Sequence, residues 1–357
     1  MSRPLTREVA REAWRNLLTD TSHVGIWGLI LATVLSLLGW ADTYEVTSLS
    51  EQSAAYVAGG GATWMLQAPS QIDGTSCERL RLATGVRAAG GLRDTGSYLT
   101  TTALPGAPLP LYEVTSGFAQ VLGSSAAGGI LIPDDVASAL NISSGESLAT
   151  NLGAAPIGEV YAYPDDGRRP IFSYAALAMV PDTGQFDECW VTVWPTDQAT
   201  INLLYTALKN PTGQFQGSPQ LAQLNPNFAS QFDAATLFGT RFTRFAGWAC
   251  LLFGLVIGFS SLMGRRLELA SAMHLGMPRR ALCGQMLLEA AAWVAVAMLV
   301  SGSLVVWQAS GAVGQYWPIA LLGLRCVIAG GVGSFIGIVI GCATIRERQL
   351  FSLFKTH

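Results

Sequence analysis

Four long stretches of the chain are apolar and carry almost no charge, and polar sequence separates them. Each provides about 20 residues without Asp, Glu, Lys or Arg, although the fourth is extended at its start across Arg325. A helix needs about 20 residues to cross a bilayer core of about 30 Å. The pattern therefore predicts four transmembrane helices, over residues 21–41, 245–264, 283–310 and 318–345.

A long segment, 42–240, separates the first two apolar stretches and mixes two periodicities. Short runs rich in β-branched and aromatic residues are typical of strands, and apolar residues at four-residue spacing are typical of a helix. Strands are predicted at 62–67, 129–132 and 190–194, and helices at 134–140 and 197–208. The expected fold is an α-helical membrane protein with an α+β extracytoplasmic domain inserted between helices one and two.

The charges define the orientation. Only 13% of the residues are charged and 50% are hydrophobic, and 21 Lys and Arg against 24 Asp and Glu give no basic surplus for nucleic acid. Basic residues concentrate in segments 1–20, 265–282 and 346–357, which share one side of a four-span topology. Cytoplasmic loops carry the excess of Lys and Arg. We therefore expect both termini in the cytoplasm and the acidic segment 42–240 outside.

The cysteines and histidines restrict the chemistry of the outer segment. Cys77 and Cys189 are its two cysteines, and such a pair in an oxidising compartment predicts a disulfide, the alternative being two separate buried thiols. His23, His274 and His357 are scattered, and no C-x-x-C spacing occurs, so no metal site is expected. Without a histidine between residues 24 and 273, the segment cannot contain a Ser-His-Asp triad.

Two basic segments have features that membrane orientation alone does not explain. Residues 1–20 predict an amphipathic interfacial helix with Arg7, Arg11 and Arg15 on one face, unless this segment is only a topogenic anchor. Residues 265–282 predict a short helix, a break at Leu275–Pro278 and a restart at Arg279. A short helix projecting into the cytoplasm would serve for docking. Positive-inside charge alone would explain the arginines but not Glu268 or the break.

These segments resemble the permease subunits of the MacB/FtsX family of ABC transporters, also called type VII. The resemblance rests on Arg265–Ala270 (RRLELA) with Leu275–Arg280 (LGMPRR), on Glu289, and on Glu12–Leu18 (EAWRNLL). Residues 129–146 and 190–199 are also similar to MacB-like periplasmic cores, although Asn141 stands where glycine is usual.

The resemblance implies mechanotransmission from a separate cytoplasmic ABC ATPase, in a bacterial inner membrane and with a second permease copy or paralogue. No G-x-x-x-x-G-K-[ST] loop occurs, so we expect no catalysis and no cofactor in this chain, with ATP and Mg bound by the ATPase. The cargo would be a peptide, a lipid or a drug-like molecule. The ATPase contacts implied by the family are Arg265, Arg266, Glu268, His274, Leu275 and Arg279.

Other interpretations stay open at this stage. The chain could be an FtsX-like regulator of a cell-wall hydrolase, or an ATPase-coupled sensor of an antimicrobial peptide or envelope stress. Further partners would be an extracytoplasmic adaptor, lipoprotein or hydrolase and membrane lipid, but no nucleic acid.

Gly333, Gly337 and Gly341 form a repeated G-x-x-x-G face that predicts helix packing, within one subunit or between two. Arg325 is either functional or extends to the interface.

Overall fold

The fold is described from a computed structural model over residues 24–126, 128–209, 218–311 and 316–345. The predicted interfacial helix at 1–20 and the tail at 346–357 lie outside the described residues. Two compact units divide the chain. The helical unit comprises residues 1–51 and 235–357, and the sheet unit comprises residues 52–234.

Ten α-helices and nine strands are found in the described residues. The helices are α1 Val24–Ala58, α2 Gly74–Arg79, α3 Ser116–Val121, α4 Asp134–Leu140, α5 Gln198–Asn202, α6 Ala234–Thr240, α7 Ala246–Met263, α8 Arg266–His274, α9 Arg279–Ala309 and α10 Tyr316–Thr344. The strands are β1 Thr63–Asp73, β2 Val86–Leu99, β3 Leu109–Val114, β4 Ile130–Pro133, β5 Ser147–Thr150, β6 Gly153–Tyr161, β7 Ala176–Met179, β8 Gln185–Val193 and β9 Gln220–Gln223.

Helices α1, α7, α9 and α10 are long and apolar enough to cross a membrane. Helix α1 differs from its predicted end at residue 41, because it continues to Ala58. The uncharged window stops at Asp42, yet no Gly or Pro interrupts residues 42–58, so the helix continues through polar sequence. The Gly59–Gly61 triplet, with Gly60 at φ +80°, then ends it. The sheet unit accordingly begins at Gln52 rather than at residue 42.

The sheet unit is built on one mixed nine-stranded sheet, which confirms the predicted α+β character of this segment. The strand order is β5-β6-β4-β7-β3-β2-β8-β1-β9. Most neighbours are antiparallel, but β3 pairs with β7 and β4 pairs with β6 in parallel. The predicted helix at 134–140 is α4, whereas 197–208 divides into α5 and a 3-10 turn at Leu203–Ala207.

Alternate residues of β8 supply two different cores. Trp190 packs against Phe118 and Phe172, with ring centroids 4.9 and 5.2 Å away. Its neighbour Cys189 lies in a second apolar cluster and forms a disulfide with Cys77, with a Cα–Cα distance of 5.8 Å. Successive side chains of a strand point to opposite faces, so β8 joins both cores. The predicted disulfide is confirmed.

Candidate functional site

Helices α7 and α10 are in such close contact that side chains would not fit between them. A Cβ atom on Gly254 would lie 2.1 Å from the carbonyl oxygen of Gly330, and one on Gly333 would lie 2.1 Å from that of Leu251. Small residues permit this backbone approach in membrane helices. The structure places the predicted packing residues Gly333, Gly337 and Gly341 along this seam, within one chain.

Helix α8 lies between the ends of α7 and α9 and is amphipathic. Leu269, Ala270 and Met273 are buried against the helical unit. Beyond the helix, Gly276 adopts φ +93° and its amide donates to Met273 O, which is the usual glycine termination. The amide of Met277 donates to Ala272 O. The helix and its break lie where the sequence predicts them.

Arg265 anchors the start of α8 from inside the helical unit. Its side chain is only 10% exposed. It donates to both carboxylate oxygens of Glu268, at 2.9 and 2.8 Å, and to the buried carboxylate of Glu289 on α9. The two carboxylates raise the pKa of Arg265, with Glu268 the larger cause, so the guanidinium stays charged. Gln285 donates to Glu289 at 3.2 Å.

The other predicted ATPase-contact residues face solvent, unlike Arg265. Leu275 is 88% exposed and lies directly after the end of α8. Arg279 is exposed and donates to Ile345 O, just beyond the end of α10. Exposed side chains also belong to Arg266, Glu268 and His274. The structure therefore places five predicted contact residues on a surface and the sixth beneath it.

A second buried charge cluster surrounds Asp42 on α1. Asp42 is fully buried and accepts a hydrogen bond from the Thr243 hydroxyl at 2.7 Å. Arg325 on α10 donates to Asp42 at 3.2 Å, and Arg241, just after α6, lies 3.4 Å from it. Glu45, one turn on along α1, accepts from the amides of Phe242 and Thr243. Asp42 and Glu45 together connect α1, α10 and the segment that leads into α7.

Sequence reasoning missed the partners in both clusters. It identified Arg325 and Glu289 but paired neither, and it treated Arg265 as a surface contact. One signal was present for each: Asp42 directly follows the first uncharged window, and Glu289 directly precedes the third. Charged residues within membrane-spanning helices commonly pair with one another or with backbone carbonyls.

The described residues contain no group of three or more His, Cys, Asp or Glu side chains that could hold a metal ion. The helical unit contains buried ion pairs, apolar packing and an exposed helix. These features lie at α8 and at Asp42, and the ion pairs hold neighbouring helices together.

Comparisons with known proteins give structural similarity but no match in sequence. No family model matches the chain, and no curated protein matches it in sequence. Among solved structures, the periplasmic region of MacB from Actinobacillus actinomycetemcomitans is similar over 46% of this chain and 89% of that one, with 10% identity and a TM-score of 0.32. Similarity of this size is a weak, partial likeness of fold and assigns no function.

Proposed function

We propose that this chain is the permease subunit of an ABC transporter of the MacB/FtsX kind. It transmits ATP-driven motion of a separate cytoplasmic ATPase to its sheet unit, which exports or extracts a peptide, lipid or drug-like cargo. In this proposal α8 faces the cytoplasm and the sheet unit lies outside a bacterial inner membrane. A second permease subunit completes the complex, and the ATPase binds ATP and Mg.

The observation that carries the proposal is an exposed helix tied by a buried ion pair to an apolar helix. The Arg265–Glu289 pair joins the start of α8 to α9, so a force on α8 reaches a long apolar helix directly. Leu269, Ala270 and Met273 of α8 are already buried, while Leu275 is exposed at the end of the helix. This combination supports a docking surface with a rigid base.

The cluster at Asp42 supports transmission toward the sheet unit. Asp42 and Glu45 bind groups before α7, and Asp42 also binds α10, so a tilt of either helix acts on α1. Helix α1 continues without interruption into residues of the sheet unit and ends at Ala58. In this proposal α1 carries the displacement toward the sheet unit.

The test is co-purification with ABC ATPase subunits encoded in the same genome. Leu275→Asp places a charge on the proposed docking surface and leaves the ion pairs of Arg265 with Glu268 and Glu289 intact. A change of Glu268 would disturb both the docking surface and these ion pairs. Leu82→Asp is the matched control, because Leu82 is 81% exposed in the sheet unit. We expect an ATPase to co-purify with the wild type and with Leu82→Asp, and to be lost with Leu275→Asp.

Retention of the ATPase by Leu275→Asp, or the absence of any ATPase bound to the wild type, would contradict the proposal. An ATPase that binds but responds only to an added cell-wall hydrolase would instead favour a regulator.

A further inference from the structure

An apolar cavity of about 170 Å³ opens on the surface of the sheet unit. It lies between helix α4, the loop before β3 and the 3-10 turn at Pro170–Tyr174. Leu104, Leu109, Val136, Leu140 and Tyr174 supply most of its apolar wall. An apolar cavity of about 150 Å³ in another protein binds benzene, so this one has room for a single ring or a short branched chain.

Asp135 is the one charged residue in the cavity lining. Its side chain is exposed, and no group among the described residues donates a hydrogen bond to its carboxylate. Its neighbour Asp134 does not line the cavity. The sheet unit as a whole carries 15 acidic and 7 basic residues, so the local charge and the surrounding field have the same sign.

We infer that this cavity binds a small cationic amphiphile, with its aromatic or branched apolar group in the cavity and its ammonium group at Asp135. Apolar walls with a small number of placed polar groups are the usual composition of a small-molecule site. The apolar group supplies most of the affinity, and the carboxylate selects for positive charge. An anion of the same shape meets Asp135 and the acidic field of the unit and binds more weakly.

The role of this ligand as cargo or signal rests on the proposed function, but its binding does not. Binding is measured on the full chain in lipid nanodiscs without any ATPase. A failure of the cavity to bind the ligand can therefore be told apart from a failure of the proposed permease function.

The probe is 4-fluorophenethylammonium, followed by the width of its ¹⁹F resonance as the protein is added. We expect saturable broadening that empty nanodiscs do not produce, and at least threefold less for the anion 3-(4-fluorophenyl)propanoate. Ala139→Phe fills the cavity and should abolish the broadening. Asp135→Asn should weaken binding about two- to fivefold, the usual range for an exposed ion pair.

Matched controls keep the inference falsifiable. Ser138→Phe and Asp134→Asn change neighbouring exposed residues of α4 that do not line the cavity, and both should bind the probe as the wild type does. Equal broadening by empty nanodiscs, by all four variants or by the anionic probe would overturn the inference. Loss of binding in the two control variants would also overturn it, because the site would then not be this cavity.

Discussion

At the scale of single residues, the helical unit is organised by buried charges. Removing a charged group from water costs several kcal/mol, and its attraction to a partner only balances this cost. Such pairs therefore add little net stability, but the loss of one partner is severe. Glu289 and Asp42 are both in this situation, since their carboxylates are 4% and 0% exposed.

The first prediction concerns the base of α8. Arg265→Gln removes the guanidinium that binds Glu268 and Glu289, and we expect a loss of about 3–5 kcal/mol, the usual cost of breaking a buried pair. Thermal unfolding of the detergent-solubilised protein measures this. The adjacent Arg266→Gln is the control, because Arg266 is exposed and should leave the melting temperature unchanged. Equal melting temperatures of the Arg265→Gln and Arg266→Gln variants would refute the role of Arg265 as an anchor of α8.

The second prediction compares the two ends of one ion pair. Asp42→Ala leaves Arg241 buried without its counter-charge and should cost about 3–5 kcal/mol. Arg325→Ala should cost less than Asp42→Ala, because Asp42 keeps Thr243 and Arg241 as partners. Denaturant titration of the two variants measures the difference. Equal losses would show that Thr243 and Arg241 cannot compensate Asp42 for the loss of Arg325.

At the scale of elements, the seam between α7 and α10 makes two helices behave as one body. Contact between backbones leaves no space for a side chain to rearrange, so relative sliding would require the helices to separate. Helix α1 is held through side chains, because Leu31 and Leu35 are fully buried in the apolar core and Asp42 and Glu45 accept hydrogen bonds. Hydrogen bonds and ion pairs of this type can change partners. We therefore expect movement at Asp42 rather than within the seam.

The third prediction distinguishes two glycines of the same helix. Gly254→Val places a side chain against the carbonyl of Gly330 and should prevent correct packing, which would be seen as aggregation on size-exclusion chromatography. Gly247→Ala meets no atom within 4 Å and should be neutral or stabilise the helix by up to about 1 kcal/mol. A well-behaved Gly254→Val variant would mean that α7 and α10 are not packed in this way.

At the scale of the whole molecule, the chain combines a unit stabilised by a disulfide with one held by helix packing. The Cys77–Cys189 bond joins residues 112 positions apart and lies within the sheet unit. The four other cysteines, Cys250, Cys283, Cys326 and Cys342, are free thiols in the helical unit. A reductant should therefore affect the two units unequally.

The fourth prediction follows from the length of the closed loop. Replacing Cys77 and Cys189 together by Ala should destabilise the sheet unit by about 4–5 kcal/mol, because the unfolded chain regains the entropy that the bond removes. Limited proteolysis of the sheet unit measures this loss. Cys283→Ala is the control and should leave the cleavage rate unchanged. An unchanged rate in the double variant would mean that the bond contributes little to the unit.

The sequence by itself determined the elements whose signal is local. Four apolar windows indicate four long helices, and Leu275–Pro278 carries the glycine and proline that end α8 and begin α9. The pairing of Cys77 with Cys189 follows because only two cysteines lie in that segment. In each case neighbouring residues or simple counting supply the physical cause.

Only the tertiary structure decided which distant residues meet. Asp42 and Arg325 are 283 positions apart, and nothing near either residue in the sequence indicates the other. The same holds for Arg265 and Glu289, and for the cavity that Asp135 shares with Leu104 and Tyr174. Local patterns set the length of each helix and strand, whereas a charge inside a protein takes the partner that packing brings to it.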